Sequence, residues 1–509
     1  MKDFFYWVFL ILIIPLVFLY GVYVGTVNNN YIHTHKTILI NLKTLSINYI
    51  KKLFVEIDKL EIVLSNKQLE KLNNQKNKYI EKRVLIKDSV TWVKPEIKIS
   101  NIKYKGKLKL KGLFLDKHER YEKNFSYSIK IKDTTFQNMS GFYLHYPQKR
   151  HNLFEWYGDN ILKKTGLIYH KNDFLELSIN KTNCGLYLVE EHTNKKLLIR
   201  NNRLIGPIIY FSKKGLRHDR YFETIIDHPK ANEENFINAE ILAKYPHKMN
   251  TRAKELMNGY LSGKIPPEKV FNFSKTATIF AISEMVGYIH QLQYHNVKFY
   301  YNPIEDRLEP IANDFQFHQL SNWTNELIAL DLFKKQNKHI VLHWSENLFK
   351  SQKFIETVIK KLRVFATEKF INSFFQEIKN EEDYAQQCMS RFDPIYFPDI
   401  KFILNKNIKH INYILRSHSN LQVSISDSTK LFYSTKCCIP LKPISISFAN
   451  KTYFTFPDSL YLKTKPFLTQ PVNDSLLIKM PSWDQSEFVF NYKLLGDSTT
   501  YRKKIKSKK

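Results

Sequence analysis

The sequence has few of the residues that build disulfide-stapled or metal-stapled folds. Its 509 residues contain only 4 cysteines: Cys184, Cys388 and the adjacent Cys437 and Cys438. They allow three full pairings, among which the sequence does not choose, and none has the spacing of a zinc site, so buried free thiols are the simplest interpretation. With 14 glycines and 18 prolines the chain is neither collagen-like nor of low complexity. Disulfide scaffolds, zinc modules and fibrous repeats are therefore excluded.

Negative charge is also scarce. Against 78 lysines and arginines stand 48 aspartates and glutamates, so the formal net charge is +30. Such an excess favours nucleic acid, anionic lipid or an anionic polymer as a partner. The lysines are spread along the whole chain, and no zinc-finger or RNP-type motif accompanies them. We therefore expect no nucleic-acid partner, and predict a membrane together with an envelope protein or an anionic polymer.

One long apolar run is present, from Phe4 to about Val24. About 20 apolar residues are enough to cross the ~30 Å hydrocarbon layer of a bilayer. The run predicts an uncleaved transmembrane signal anchor at residues 1–27, followed by a juxtamembrane linker at 28–57. A cleaved signal peptide is the alternative. The expected location is the cell membrane, single-pass, with the bulk of the chain outside the cytoplasm, in the periplasm if the cell has two membranes.

Hydrophobic periodicity divides the rest of the chain. Apolar and polar residues alternate between 97 and 133, which is typical of half-buried antiparallel strands, whereas 234–262 and 266–294 have the period of helices. The predicted fold class is α+β, with a small β-sandwich at the C-terminus. The predicted divisions are a β-rich N-lobe (58–205), a helical C-lobe (206–418), a β-rich C-terminal domain (419–500) and a basic tail (501–509).

A set of polar residues flanks the expected strands. Asp314 follows the strand that contains Pro310, and Asn296 precedes the strand 297–301, so a hairpin would bring them together. A carboxylate and an amide oxygen suit Mg²⁺ beside the phosphates of a nucleotide. Lys130 could orient those phosphates, and Glu190 or Glu191 could brace it or border the nucleotide. The alternatives are a turn or capping role for the aspartate and a solvated strand lysine.

Several sequence runs between 58 and 320 add a family resemblance. Together they resemble the spore-coat-protein-H-like (CotH) kinase family, in its membrane-anchored envelope branch. The runs are 108–112 (LKLKG), 125–131 (FSYSIKI), 141–147 (GFYLHYP), 155–156 (EW), 184–192 (CGLYLVEEH), 206–209 (GPII), 295–303 (HNVKFYYNP) and 307–311 (RLEPI).

The resemblance implies a two-lobed atypical protein-kinase-like fold that uses ATP and Mg²⁺. It implies Lys130 as the nucleotide lysine, Glu190 near the hinge, and Asn296 and Asp314 as metal ligands. The expected activity is phosphoryl transfer to a hydroxyl group of an envelope protein.

Two departures from the family pattern open an alternative function. Active members have an aspartate upstream of the metal-binding asparagine, whereas this chain has the run 287–291 there. His290 is the nearest candidate for a general base in that run. The other interpretation of His290 is a capping or packing residue. The run 111–114 also holds a single glycine where a glycine-rich phosphate loop is expected. The alternative is a catalytically inactive pseudokinase scaffold that binds envelope proteins or an anionic polysaccharide.

Overall fold

The computed structural model describes most of the chain beyond residue 54. The described residues are 55–83, 85, 91–112, 115, 117–120, 124–211, 239–241, 247–293, 296–320, 344–393, 399–416, 421–427, 430–435, 439–449, 451–462, 472–478 and 488–507. They belong to two compact units. The smaller unit holds residues 55–58 and 380–393, and the larger one holds the described parts of Lys59–Lys379 and Pro398–Lys509.

A closed seven-stranded barrel opens the larger unit. Its strands run in the order β1-β2-β3-β4-β5-β7-β6 around the barrel. The barrel closes where β1 pairs in parallel with β6, with Leu60 opposite Leu177, whereas the other neighbouring pairs are antiparallel. The strands are β1 (Lys59–Val63), β2 (Glu96–Ile99), β3 (Ile102–Lys111), β4 (Ser126–Ile131), β5 (Gly141–His145), β6 (Asn172–Ile179) and β7 (Thr182–Glu191).

The alternation of the barrel strands separates two faces. Leu108, Ile129 and Phe142 stand opposite one another on β3, β4 and β5 and are completely buried inside the barrel. Because successive side chains point to opposite faces, Lys107 and Lys130, also paired with each other, stand on the outer face. The sequence pattern thus places a row of lysines outside the barrel.

Helices connect and follow the barrel. Helix α1 starts at a capping box in which Ser65 and Gln68 bond each other's backbone amides. The helices are α1 (Asn66–Lys82), α2 (Lys117–Arg120), α3 (Phe154–Lys164), α4 (Lys195–Arg200), α5 (His247–Leu261), α6 (Pro267–Val270), α7 (Phe273–Val286), α8 (Glu346–Phe349), α9 (Gln352–Phe365), α10 (Glu368–Glu377), α11 (Lys379–Phe392) and α12 (Ile400–Leu415). Two 3-10 turns, Pro147–Arg150 and His290–Leu292, lie beside the site described below.

A second sheet carries the hairpin that bears the predicted metal ligands. Its order is β11-β10-β8-β9, built from β8 (Ile208–Phe211), β9 (Ala239–Ile241), β10 (Lys298–Asn302) and β11 (Arg307–Ile311). A buried apolar cluster joins this sheet to α4, with Leu197, Ile208 and Tyr300 in contact. Helix α7, buried almost all round, packs against α9 and α12 behind it. The hairpin is thereby fixed with respect to the helices.

Two further four-stranded sheets lie near the C-terminus. Their orders are β16-β13-β12-β19 and β15-β14-β17-β18. The strands are β12 (Gln422–Asp427), β13 (Lys430–Thr435), β14 (Leu441–Phe448), β15 (Lys451–Thr455), β16 (Val472–Leu477), β17 (Val489–Leu494), β18 (Tyr501–Lys504) and β19 (Lys506–Ser507). The predicted basic tail 501–509 therefore contributes its first residues to strands.

The predicted two-lobed kinase-like fold is wrong. The strands expected to form the β-rich lobe of a kinase-like fold close instead into a seven-stranded barrel in a mixed α/β architecture. The physical reason is that alternation reveals which side chains face inward but not which edge strands pair, and here β1 reaches β6. The predicted transmembrane helix of residues 1–27 lies outside the described residues, and the helices that are described include none with the length and apolar character needed to cross a membrane.

Several individual elements match the sequence predictions. The strand expected at 297–301 is Lys298–Asn302, and the segment 266–294, expected to be helical, contains the helices Pro267–Val270 and Phe273–Val286. The segment 346–377 contains three helices, α8, α9 and α10. Ser351 and Thr367 cap new helices there, because each side chain accepts a bond from a backbone amide three residues later.

Candidate functional site

Asp314 occupies a strained turn just beyond β11. Its φ of +70° lies in the left-handed region, which is unusual for a residue with a side chain. The buried carboxyl group of Glu155 on α3, whose pKa is raised by burial, holds this turn by accepting bonds from the amides of Asp314 (2.9 Å) and Phe315 (2.7 Å). The Phe315 ring packs directly on Gly158 one turn further along α3. Helix α3 therefore determines where the Asp314 carboxylate lies.

Arg150, from the first 3-10 turn, bridges that carboxylate to the barrel. Its Nη1 contacts Oδ1 of Asp314, and its Nη2 donates to Oε2 of Glu190 on β7 at 2.9 Å. Nε2 of His145 on β5 lies 3.2 Å from the same Glu190 oxygen. The Arg150 side chain is 10% exposed and that of Glu190 3%. Two carboxylates from different parts of the fold thus share one nearly buried guanidinium.

The charges in this network strongly influence one another. Burial disfavours ionisation of Asp314 and Glu190, but Arg150 outweighs it and holds the pKa of both carboxyl groups well below the usual range. Burial lowers the pKa of His145 to about 4, and the positive charge of Arg150 adds to this effect. Near neutral pH the network therefore consists of two carboxylates, one guanidinium and a neutral imidazole.

His290 and Lys298 complete the surroundings of Asp314. Nε2 of His290 lies 3.4 Å from Oδ2 of Asp314, so each carboxylate oxygen has a nitrogen neighbour. The Asn296 amide donates to the His290 carbonyl at 2.9 Å. The Lys298 ammonium donates to Oδ1 of Asn313 at 3.0 Å, and burial lowers the pKa of this lysine.

Lysine side chains surround one tryptophan on the outer face of the barrel, beside this network. We call Lys107, Lys109, Lys130 and Trp92 the basic strip. The three ammonium groups lie 5.0, 4.8 and 5.3 Å from the centre of the half-buried indole of Trp92. None of the ion pairs formed among the described residues joins Lys107 or Lys130 to a carboxylate. The strip is therefore a concentration of positive charge around one aromatic ring.

The backbone on both sides of Trp92 is pinned. The Gln75 side chain of α1 donates to the Thr91 hydroxyl at 3.0 Å and accepts from the Thr91 amide at 3.3 Å. Val93 exchanges two 2.9 Å backbone bonds with Leu108 of β3. The position of the indole is thus set by the fold.

Polar side chains connect the basic strip to the Arg150 network. Nε2 of His192 lies 3.2 Å from the Ser128 hydroxyl, and its ring packs on Tyr143 with centroids 4.2 Å apart. Tyr143 stands opposite Glu190 in the barrel. Burial lowers the pKa of His192 to about 3, and the charges of Lys111 and Lys130 contribute. This connection makes the strip and the network parts of one surface.

The structure brings most of the predicted site residues together. Glu190, His290, Asn296 and Asp314 all belong to the Arg150 network or its rim, and Lys130 lies on the adjoining basic strip. Glu191 does not join them. It stands opposite Phe142, on the other face of the barrel.

The partners of Glu191 are structural. Its carboxylate accepts from Arg200 at 2.6 and 2.9 Å and from the Lys171 amide at 3.1 Å. The side chain is buried by these groups. Its predicted role as a neighbour of the nucleotide stays a prediction, which this location does not support.

Sequence reasoning missed four residues of the site: Arg150, Glu155, Lys298 and Trp92. Two of the four had a signal in the sequence. Glu155 and Lys298 lie within runs that carry the family resemblance, but the resemblance assigned them no role. Arg150 and Trp92 carry no motif, because their importance depends on contacts with strands distant in sequence.

The predicted Mg²⁺ site does not fit the contacts observed. Asp314 already has Arg150 on one oxygen and His290 near the other. Within the described ranges, no group of three or more His, Cys, Asp or Glu side chains could hold a metal ion. Asp314 and Asn296 therefore do not form a preorganised cation site, and the arrangement is better suited to an anion placed among Arg150 and the lysines.

No protein-family model matches the chain, and no curated protein matches it. The resemblance to CotH-like kinases therefore stays a prediction from the sequence runs given above, and function must be argued from the site alone.

Proposed function

We propose that this protein binds a phosphate-bearing ligand of the nucleotide class on the outer face of the barrel, and that it binds without transferring the phosphoryl group. The observation that supports this proposal most directly is the basic strip, which adjoins the Arg150 network. Arginine and lysine donors are well suited to phosphate oxygens. The aromatic ring of Trp92 offers a surface on which a base could stack.

The charge of the strip supports an anionic ligand. Three ammonium groups around one indole repel each other, and the cation-aromatic attraction offsets only about 0.5–1 kcal/mol for each exposed pair. An anion among them would remove this repulsion. The fixed position of Trp92 between Thr91 and Val93 means that the site needs little reorganisation on binding.

The state of the acidic groups supports binding without catalysis. Phosphoryl transfer to a hydroxyl requires a group that accepts or orients the proton of the nucleophile. In the network, Asp314 and Glu190 are both engaged by Arg150, and Glu155 accepts from two backbone amides. Nε2 of His290 is engaged by Asp314, so only its other ring nitrogen could act on a hydroxyl. No carboxylate of this network is thus available as a base.

The test is ligand binding by the full-length chain, measured by calorimetry and by tryptophan fluorescence with ATP. Lys107→Gln and Lys130→Gln should each weaken binding by about tenfold, as expected for the loss of one charged contact of about 1.4 kcal/mol. Trp92→Phe should remove the fluorescence response. The matched control is Lys105→Gln, an exposed lysine of the same strand that does not contact Trp92.

Two results would overturn the proposal. One is the absence of ATP binding by wild type. The other is an equal loss of affinity in Lys105→Gln, which would mean that only the net charge matters.

A second candidate function is Mg²⁺-dependent phosphorylation of a protein hydroxyl, as the resemblance implies. One observation favours it: Glu190, His290, Asn296 and Asp314 lie around one centre although they come from distant parts of the sequence. Metal-dependent transfer of labelled phosphate to an envelope protein, lost in Asp314→Asn and kept in Asp306→Asn, would establish it. Asp306 is the matched control because it pairs with Arg252 at the turn of the hairpin. Membrane anchoring and an extracytoplasmic location stay predictions under either function.

A further inference from the structure

Arg150 lies where a divalent cation would have to bind. A metal ion on Asp314 would need at least one carboxylate oxygen as a ligand. Nη1 of Arg150 contacts Oδ1, and Nε2 of His290 lies 3.4 Å from Oδ2. A metal ion would therefore have to displace the guanidinium or sit beside it.

Glu190 keeps Arg150 in this place. The guanidinium bridges Glu190 and Asp314 through its two terminal nitrogens and is 10% exposed. Moving it toward solvent would leave the buried carboxylate of Glu190 in contact with His145, an imidazole whose pKa is lowered by burial, and with only the electrostatic interaction of Lys298 in place of the guanidinium. An unpaired buried carboxylate is costly, so the bridge resists displacement.

The charge balance also disfavours a metal ion. Asp314 and Glu190 together carry two negative charges, because burial raises the pKa of the neighbouring Glu155 well above its usual range, and Arg150 neutralises one of the two. The Lys298 ammonium also interacts electrostatically with both carboxylates. With both cationic side chains counted the cluster is nearly neutral, so it offers a divalent cation little net attraction.

We propose that Arg150 takes the place of the divalent cation at Asp314, so that the phosphate-bearing ligand binds independently of Mg²⁺. This inference rests on the proposed function for the identity of the ligand, but its claim about Asp314 and metal ions does not. Arg150 is a positioning residue: it supplies the fixed positive charge that phosphates would otherwise receive from a metal ion. Its Nε is buried and has no hydrogen-bond partner within the described part of the chain.

The first experiment uses the wild-type full-length chain with two probes. ATP affinity is measured by calorimetry in excess EDTA and in excess Mg²⁺, and the two dissociation constants should agree within about threefold, less than the tenfold that one lost charged contact would give. Mn²⁺ binding is measured by electron paramagnetic resonance without nucleotide, and no ion should bind at Asp314. A dissociation constant at least tenfold lower with Mg²⁺, or Mn²⁺ binding that Asp314→Asn abolishes, would overturn the inference.

The second experiment removes the charge. Arg150→Gln should let Mn²⁺ bind in the absence of nucleotide, and the additional change Asp314→Asn should abolish that binding. Arg150→Lys keeps the charge and should keep metal ions out. The matched control Arg252→Gln breaks the pair with Asp306 and should leave Mn²⁺ binding absent. Failure of Arg150→Gln to bind Mn²⁺ in a folded protein would contradict the proposal.

The two proposals fail in different ways. If wild type binds no ATP in either condition, the proposed function is wrong, and the Mn²⁺ measurements on unliganded protein still judge the role of Arg150. If ATP binds only with Mg²⁺, the ligand class stands and the role of Arg150 is wrong. Should Arg150→Gln not fold, the wild-type comparison of EDTA with Mg²⁺ decides alone.

Discussion

Replacing Gly158 by alanine should disturb the site from within α3. A Cβ atom at this position would lie 2.2 Å from Cγ and 2.4 Å from Cδ2 of the buried Phe315 ring, whereas ordinary contact begins at 3.4 Å. The ring would have to move by more than 1 Å to relieve the overlap. Because the amide of Phe315 and that of its neighbour Asp314 bond Glu155, a shift of the ring also pulls on the turn that holds the Asp314 carboxylate.

The expected magnitude combines opposing effects. Glycine to alanine inside a helix normally stabilises by about 1 kcal/mol. Overpacking a core costs about 1–3 kcal/mol, and loss of one hydrogen bond to the Glu155 carboxyl group would add about 0.5–1.5 kcal/mol. We expect Gly158→Ala to lower the free energy of unfolding by about 2 kcal/mol, with weaker ligand binding, because the overlap involves the rigid base of an aromatic ring.

Chemical denaturation of the full-length chain measures this effect, and Gly259→Ala is the matched control. Gly259 is also helical, but its nearest neighbour is the rotatable tip of Ile265 at 2.4 Å, so its free energy of unfolding should change by less than about 1 kcal/mol. The additional change Phe315→Leu should recover part of the loss caused by Gly158→Ala, giving a coupling free energy between the two sites. A Gly158→Ala protein that is more stable than wild type and binds ligand normally would refute the packing argument.

Two further predictions concern acid stability and a buried asparagine. Asp314 and Glu190 have pKa values below those of the unfolded chain, so the unfolded state binds more protons as the pH falls. Their contribution to stability is therefore present above about pH 4 and is lost as the pH falls toward their folded pKa values. Denaturation at a series of pH values should show this loss, and the loss should be shallower in Arg150→Gln. Asn407→Ala should lower the free energy of unfolding by about 3 kcal/mol or more, because its completely buried side chain forms hydrogen bonds with three backbone groups at 2.8 to 2.9 Å. Thermal unfolding should show a much smaller effect for Asn412→Ala, which removes one such bond. Equal effects of the two substitutions would contradict the reasoning.

The sequence predicted local elements better than their assembly. The alternation in 107–111 identified a strand and separated its buried leucines from its outer lysines, since both depend only on the period of the chain. Closure of the barrel depends on β1 meeting β6 more than a hundred residues later, and no local pattern encodes this pairing. The kinase-like fold was wrong for that reason, because it was inferred from local runs.

The site was predicted in part for a related reason. Asp314, Asn296 and Glu190 stand at the ends of predicted strands, and a hairpin argument suffices to bring the first two together. Arg150 lies in a short turn with no periodicity, and its function arises only when β7 and the segment after β11 approach it. Without Arg150 in view, an aspartate beside an asparagine suggests a cation site, and Mg²⁺ at these residues stays a prediction.

The two halves of the site should act at different stages of binding. In the Arg150 network the charges nearly cancel, so it exerts little attraction at a distance, whereas the basic strip carries several positive charges that would attract an anion from solution. Charges at the surface are screened within about 8–10 Å at physiological salt, but nearly buried ones are screened much less. Salt should therefore slow ligand association through the strip more than it speeds dissociation from Arg150, because the strip captures the phosphate group and the buried guanidinium holds it.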